Sequence, residues 1–184
     1  ELTNNVGLLP INLTFEGNAL YEACSKTLNI VVVTSTKLDL ADIPSRINKG
    51  DGIVIAGYLC DDLGESVKGG SVQIVLNGEL LGESVTRDDG SFEFAFTVNY
   101  NVDRGAGVIE VRFTGTLGYE GCEIRHPVDI YAPTVIEAHV LNEHVLPSSV
   151  VNVSVRLVEK GAGLPIPHAR IVGSVSYTHL TLPR

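Results

Sequence analysis

Ile11-Asn-Leu-Thr-Phe15-Glu-Gly17-Asn-Ala-Leu-Tyr21-Glu22-Ala-Cys24 is answered further along the chain by Ile109-Glu-Val-Arg-Phe113-Thr-Gly115-Thr-Leu-Gly-Tyr119-Glu120-Gly-Cys122. Every match lies 98 positions on, from Ile11 to Ile109, and the same displacement carries Gly7 to Gly105 and Thr36 to Thr134 without a gap. It continues into Ile53, Ile55 and Leu59, which fall on Val151, Val153 and Leu157. A period of this size is too long for a solenoid repeat and fits whole domains joined end to end. The expected boundaries follow. Residues 1–35 are the closing strands of one module, 36–133 a complete module, and 134–174 the opening strands of a third.

Alternation with period two marks strands that bury one face. In the complete module Thr36 to Leu40 is a first strand, with Leu38 and Leu40 on one side, and Ile53, Ile55, Gly57 and Leu59 line a second. Val72, Ile74 and Leu76 line a third, which ends at Asn77-Gly78, a dipeptide that accepts the positive φ angles of a tight hairpin. Glu79 to Thr86 returns as a fourth; Phe92, Phe94 and Phe96 alternate down a fifth; Val108 to Phe113 is a sixth and Pro127 to Tyr131 ends a seventh. No amphipathic helix is visible. Seven short strands punctuated by turn residues predict an all-β fold, an immunoglobulin-like Greek-key β-sandwich repeated in tandem.

Composition agrees with that reading. Apolar residues make up 44% and charged ones 19%, with 19 Gly and 8 Pro breaking short Val-, Ile- and Leu-rich runs. A formal charge of -9 and a pI near 4.9 exclude nucleic acid as a partner, because neutralising phosphates takes clustered Lys and Arg. No apolar run is long enough to span a bilayer. The chain starts at Glu1 and has no Met, so it is read as a piece of a longer protein. Val175 to Arg184 resembles a translated sequencing adapter and is set aside as a non-native tail.

Thr86-Arg-Asp88-Asp-Gly90-Ser-Phe92 resembles the Thr-x-Asp-x-Gly-x-Phe turn of bacterial and archaeal immunoglobulin-like repeats of the carboxypeptidase-regulatory, prealbumin-like type. Gly50 to Gly64 is similar to the opening strands and acidic turn of the same group. The resemblance implies tandem modules of surface proteins, and the layout looks like the sandwich tandems beside transglutaminase-like domains. Antibody-type domains are set apart by their Trp and paired-Cys framework, because this chain has no Trp and its 3 Cys do not supply one pair per module.

Within the turn motif, Asp88 or Asp89 is expected to cap and Gly90 to take a left-handed conformation. The carboxylate pairs Asp61-Asp62 and Asp88-Asp89 are the candidate ligands for Ca²⁺, weighed against ordinary turn chemistry. No other cofactor is expected. His139, Glu143 and His144 stand near one another, but the histidines are five positions apart and not the four of a zinc helix; His126 and His168 stand alone. Cys24 and Cys122 share one place in successive modules, and a bridge from Cys60 to Cys122 competes with buried free thiols. Asn12-Leu-Thr and Asn152-Val-Ser are glycosylation sequons that become usable on export.

Neither a phosphate loop nor a nucleophile elbow occurs, and catalysis is not expected within these residues. The leading expectation is a spacer, extracellular or at the cell surface, whose partners are the neighbouring modules of the same chain. Pro133 is expected to stiffen one junction by fixing its φ. A second expectation is a module that binds a glycan or a surface protein, for which Tyr58, Tyr100 and Tyr119 would have to form an exposed platform. A third is an accessory domain of a secreted peptidase or transglutaminase-like enzyme.

Overall fold

From Gly52 to Asp61 every second side chain is turned inward, with Ile53, Ile55 and Leu59 buried while Val54 and Tyr58 face out. A strand sends successive side chains to opposite faces, so this stretch is a strand with one face against a core. The computed structural model describes residues 6–142, 144–146 and 148–174, and the same pattern recurs through most of them. The strands are β1 (Gly7–Phe15), β2 (Cys24–Val32), β3 (Thr36–Leu40), β4 (Arg46–Asn48), β5 (Gly52–Asp61), β6 (Ser71–Leu76), β7 (Glu79–Val85), β8 (Ser91–Thr97), β9 (Gly105–Phe113), β10 (Cys122–Tyr131), β11 (Thr134–Val140) and β12 (Val153–Glu159). Among the described residues there is no helix, and so none long and apolar enough to cross a membrane. The chain divides into two compact units, Glu1–Tyr131 and Ala132–Arg184.

The first unit contains a sandwich made by β3 to β10. One sheet has the order β3-β5-β8 and the other β4-β10-β9-β6-β7. Neighbours are antiparallel, apart from β4, which runs parallel to β10. The chain changes sheet at both ends of β4, between β5 and β6, and on each side of β8, which gives the Greek-key crossings of an immunoglobulin-like sandwich. The two apolar faces meet in a single cluster that includes Leu38, Ile55, Leu59, Val72, Ile74, Phe92, Ile109, Val111 and Phe113.

Eight strands build this sandwich, one more than the alternation predicts. The addition is β4, only three residues long, whose Ile47 is 1% exposed against the core. A three-residue strand gives alternation too little length to register, and what makes it a strand is its partner β10. The Asn77-Gly78 hairpin is as expected: both residues have positive φ, 51° and 84°. Asn77 also fastens the hairpin to β9, its N–H donating to the Val108 carbonyl and its Oδ1 accepting from the Val108 N–H at 2.9 Å.

The two hairpins outside the sandwich copy parts of it. In β1–β2, Phe15 pairs with Cys24 and Gly7 with Val32; in β9–β10, Phe113 pairs with Cys122 and Gly105 with Ile130. Their turns match as well, with Asn18 N–H donating to the Tyr21 carbonyl where Thr116 N–H donates to that of Tyr119. In the second unit, Thr134 pairs with Glu159 and Ile136 with Leu157, as Thr36 pairs with Asp61 and Leu38 with Leu59. Beyond β12 the loop is one residue longer: Ile166 N–H donates to the Leu157 carbonyl where Val67 N–H donates to that of Leu59. Burial does not repeat. Phe113 is 2% exposed and Phe15 44%, because among the described residues no second sheet lies over β1 and β2.

Phe92 reaches the centre of the core from β8, and its loss leaves a ring-sized void that neighbouring strands cannot close. Phe92→Ala should lower stability by about 3–5 kcal/mol, measured as the change in the urea unfolding of the full chain.

Candidate functional site

The residues singled out as candidate ligands lie in two loops at one end of the sandwich, and each already has work within the fold. At the end of β5 the chain must reverse. Asp61, itself buried, accepts from the N–H groups of Leu63 (3.0 Å) and Glu65 (2.8 Å) through Oδ1. That is an Asx-type cap on the turn. Asp62 Oδ1 accepts a hydrogen bond from the Thr34 hydroxyl.

The second loop joins β7 to β8, and here each residue of the Thr-x-Asp-x-Gly-x-Phe motif has a physical task. Thr86 is buried: its hydroxyl donates to the Val67 carbonyl at 2.6 Å and accepts from the Gly70 N–H at 2.8 Å. Asp88 pairs with Lys68 at 2.8 Å across the surface, and this hydrogen-bonded carboxylate raises the Lys68 pKa. Asp89 Oδ1 accepts from the Ser91 N–H at 2.9 Å. Gly90 has φ of 77°, and a Cβ there would lie 2.6 Å from the Leu59 carbonyl oxygen, so no other residue fits without displacing β5. Phe92 then enters the core.

The two loops touch. Ser66 Oγ donates to the Asp89 carbonyl at 3.0 Å, and Leu59 N–H to the Gly90 carbonyl at 2.9 Å. Asp61, Asp62, Asp88 and Asp89 nevertheless aim at different partners, and among the described residues no group of three or more His, Cys, Asp or Glu is arranged around a common point. His139 and His144 are exposed, and Glu143 lies outside the described residues. His168 is exposed, and His126 lies in β10 opposite Ile109. The tail from Val175 to Arg184 also lies outside the described residues.

The bridge between Cys60 and Cys122 is not made, and all three thiols are free. The reason is strand polarity. Cys60 alternates with the buried Leu59 and Asp61 and therefore sits on the outer face of its sheet, its thiol directed to the Lys37 carbonyl. Cys122 packs against the core cluster from β10, with its sulfur 3.2 Å from the Thr36 hydroxyl oxygen. A thiol on the outer face of one sheet cannot reach a thiol that meets the core from the facing sheet, so no disulfide joins them.

The three tyrosines do not assemble. Tyr58 is 56% exposed at an open groove with Asp39, Arg87 and Glu93, whereas Tyr100 covers Gly50 and Tyr119 packs against the core at the β9–β10 turn. Asn12 and Asn152 are both exposed; Asn12 Oδ1 accepts from the Thr27 hydroxyl at 2.8 Å, and the Asn152 N–H is held by Asn142 Oδ1 at 2.8 Å. The sequence reading quoted Thr86 in the turn motif without a role for its hydroxyl, which is buried and ties two loops together, and passed over Thr34, which precedes the first strand of the sandwich. Polar residues next to turns were the available signal.

No family model matches the chain, and no curated protein matches it. Among solved structures, fibronectin(III)-like modules of Clostridium thermocellum CbhA are similar, with a TM-score of 0.41, 13% identity, and coverage of 68% of this chain and 62% of that one. The chain thus spans less than two thirds of that structure's length. The immunoglobulin-like assignment rests on the strand order and registers above.

Hydrogen bonds from the Ser91 hydroxyl and N–H hold the Asp89 carboxyl below the ordinary aspartate value. Because the folded form is then harder to protonate than the unfolded one, this contribution to stability is complete above about pH 4 and is lost as the pH falls through the depressed value. Carboxyl NMR titration should place Asp89 below the ordinary range, and Ser91→Ala should move it upward.

Proposed function

We propose that this chain is a stretch of tandem immunoglobulin-like modules of the kind found in bacterial and archaeal surface proteins, exported or held at the cell surface. Each module acts as a spacer that carries other parts of the protein away from the envelope, and its immediate partners are the modules before and after it. The observation that carries this reading is the twofold copying of hairpin register at a displacement of 98, in β1–β2 against β9–β10 and in β11–β12 against β3–β5. A protein that repeats one sandwich head to tail gains length with each copy and no new chemistry.

Surface character supports the same reading. A spacer must stay soluble and avoid sticking to other molecules, and a charge of -9 helps with both. A glycan reader would be expected to present an aromatic platform, yet Tyr58 stands apart from Tyr100 and Tyr119. The turn carboxylates are occupied as caps and surface pairs, and the reading assigns them no catalytic step.

The ten residues of β5 set the module's long dimension at about 33 Å. In small-angle scattering, polypeptides carrying two, three and four copies of residues 36–133 should grow in maximum dimension by about 30–40 Å per copy. Growth that levels off as the copies cluster, or tight binding of the single module to a defined glycan, would overturn the spacer reading.

A further inference from the structure

Between β2 and β3 the chain passes through Val33, Thr34 and Ser35, and two loops of the sandwich grip this connection. The Thr34 N–H donates to the Gly118 carbonyl at 3.0 Å, and the Glu120 N–H donates to the Thr34 carbonyl at 2.9 Å, forming a parallel bridge beside Tyr119. Side chains add to it. The Thr34 hydroxyl donates to Asp62 Oδ1, and that of Ser35 to Glu120 Oε2 at 2.9 Å. The Asp62 N–H donates to the Ser35 carbonyl at 3.1 Å, and the Thr36 hydroxyl to the Glu120 carbonyl at 2.6 Å. The Asp62 bond recurs in the second unit, where the Lys160 N–H donates to the Pro133 carbonyl at 2.8 Å, so the grip rests on the bonds to Gly118 and Glu120 and on the Thr34 hydroxyl.

The same β9–β10 turn also meets the hairpin itself. Gly118 has φ of 95°, and a Cβ placed on it would lie 2.7 Å from the Gly7 nitrogen and 3.1 Å from its Cα. Gly7 opens β1 opposite Val32, which closes β2, so the approach is to the end of the hairpin that feeds the linker. Only a residue without a side chain lets the two backbones come this close.

We infer that the β9–β10 turn is a built joint: its fitted partner is the closing hairpin of the preceding module together with its Thr-Ser linker, and it holds the two in one orientation. The inference rests on the tandem-module reading. Its residues are particular to this junction. At the displacement of 98, Leu20 stands where Gly118 does and is 85% exposed, while Ala132 replaces Thr34 and Lys160 replaces Asp62. Leucine bars the close approach, and alanine opposite lysine cannot form the hydroxyl–carboxylate bond.

The test uses the full 184-residue chain and NMR. In the unaltered protein, residual dipolar couplings of β1 and β2 amides should fit the alignment tensor of β3 to β10. In Gly118→Val the two sets should require separate tensors, and exchange of the Thr34 and Glu120 amides should accelerate more than tenfold while Ile109 and Val111 stay as they were. If Gly118→Val also loosens Ile109 and Val111, Thr34→Ala decides, with the same loss at Glu120 and an intact core. Separate tensors in the unaltered chain, or one shared tensor in both variants, would overturn the joint. Separate tensors alone would still leave a flexible string of spacers standing, whereas clustering of multi-copy chains would defeat the spacer reading and leave the joint intact.

Discussion

A β-hairpin can bury an apolar face only when a second sheet lies on it, and that requirement organises the whole chain. The β1–β2 and β9–β10 hairpins have the same register and matching turns, yet Phe113 is sealed and Phe15 is not. What separates them is the β3-β5-β8 sheet across from β9 and β10, which brings Ile55, Leu59 and Phe92 into contact with Ile109, Val111 and Phe113. Burial of apolar area at roughly 25 cal/mol per Å² is the main favourable contribution to folding, and here it exists in full only where both sheets are present. Hairpin pairing is local chemistry; core formation is a property of the whole module.

With the core placed, the loops decide how the strands are handed from one sheet to the other. The turn from Thr86 to Phe92 does this between β7 and β8 by a division of labour: a buried hydroxyl ties down the 67–70 loop, Asp89 caps, Gly90 slips past the Leu59 carbonyl, and Phe92 anchors. Asp61 performs the capping role at the end of β5. These acidic residues resemble ligands in the sequence because turns and metal sites draw on the same side chains. Here Asp61 and Asp89 cap turns, while Asp62 accepts from the Thr34 hydroxyl and Asp88 pairs with Lys68.

Much of this was readable beforehand, for reasons that can be named. Strands such as β5 and β6 announce themselves because half-burial imposes a period of two. The repeat is visible because Phe113, Gly115, Tyr119 and Cys122 occupy turn and core positions of the sandwich, and the same residue types recur at Phe15, Gly17, Tyr21 and Cys24. Three things were not legible. β4 is too short to show alternation and depends on β10, a strand more than seventy residues later, for its existence. The face on which Cys60 sits follows from counting outward from Leu59, yet the partner it would need is fixed only by how the sheets stack. Finally, Thr34 and Gly118 lie far apart in the chain, and nothing local reveals that they meet.

The central claim is that one module is whole and its neighbours are represented by single hairpins, so stability should follow the presence of a second sheet and not strand content. Amide hydrogen exchange across the entire chain measures this directly. Protection in β5, β6, β9 and β10 should approach that of global unfolding, with β1, β2, β11 and β12 exchanging orders of magnitude faster. Equal protection in all of these strands would contradict the account, since hairpins lacking a facing sheet would then be as stable as the sandwich.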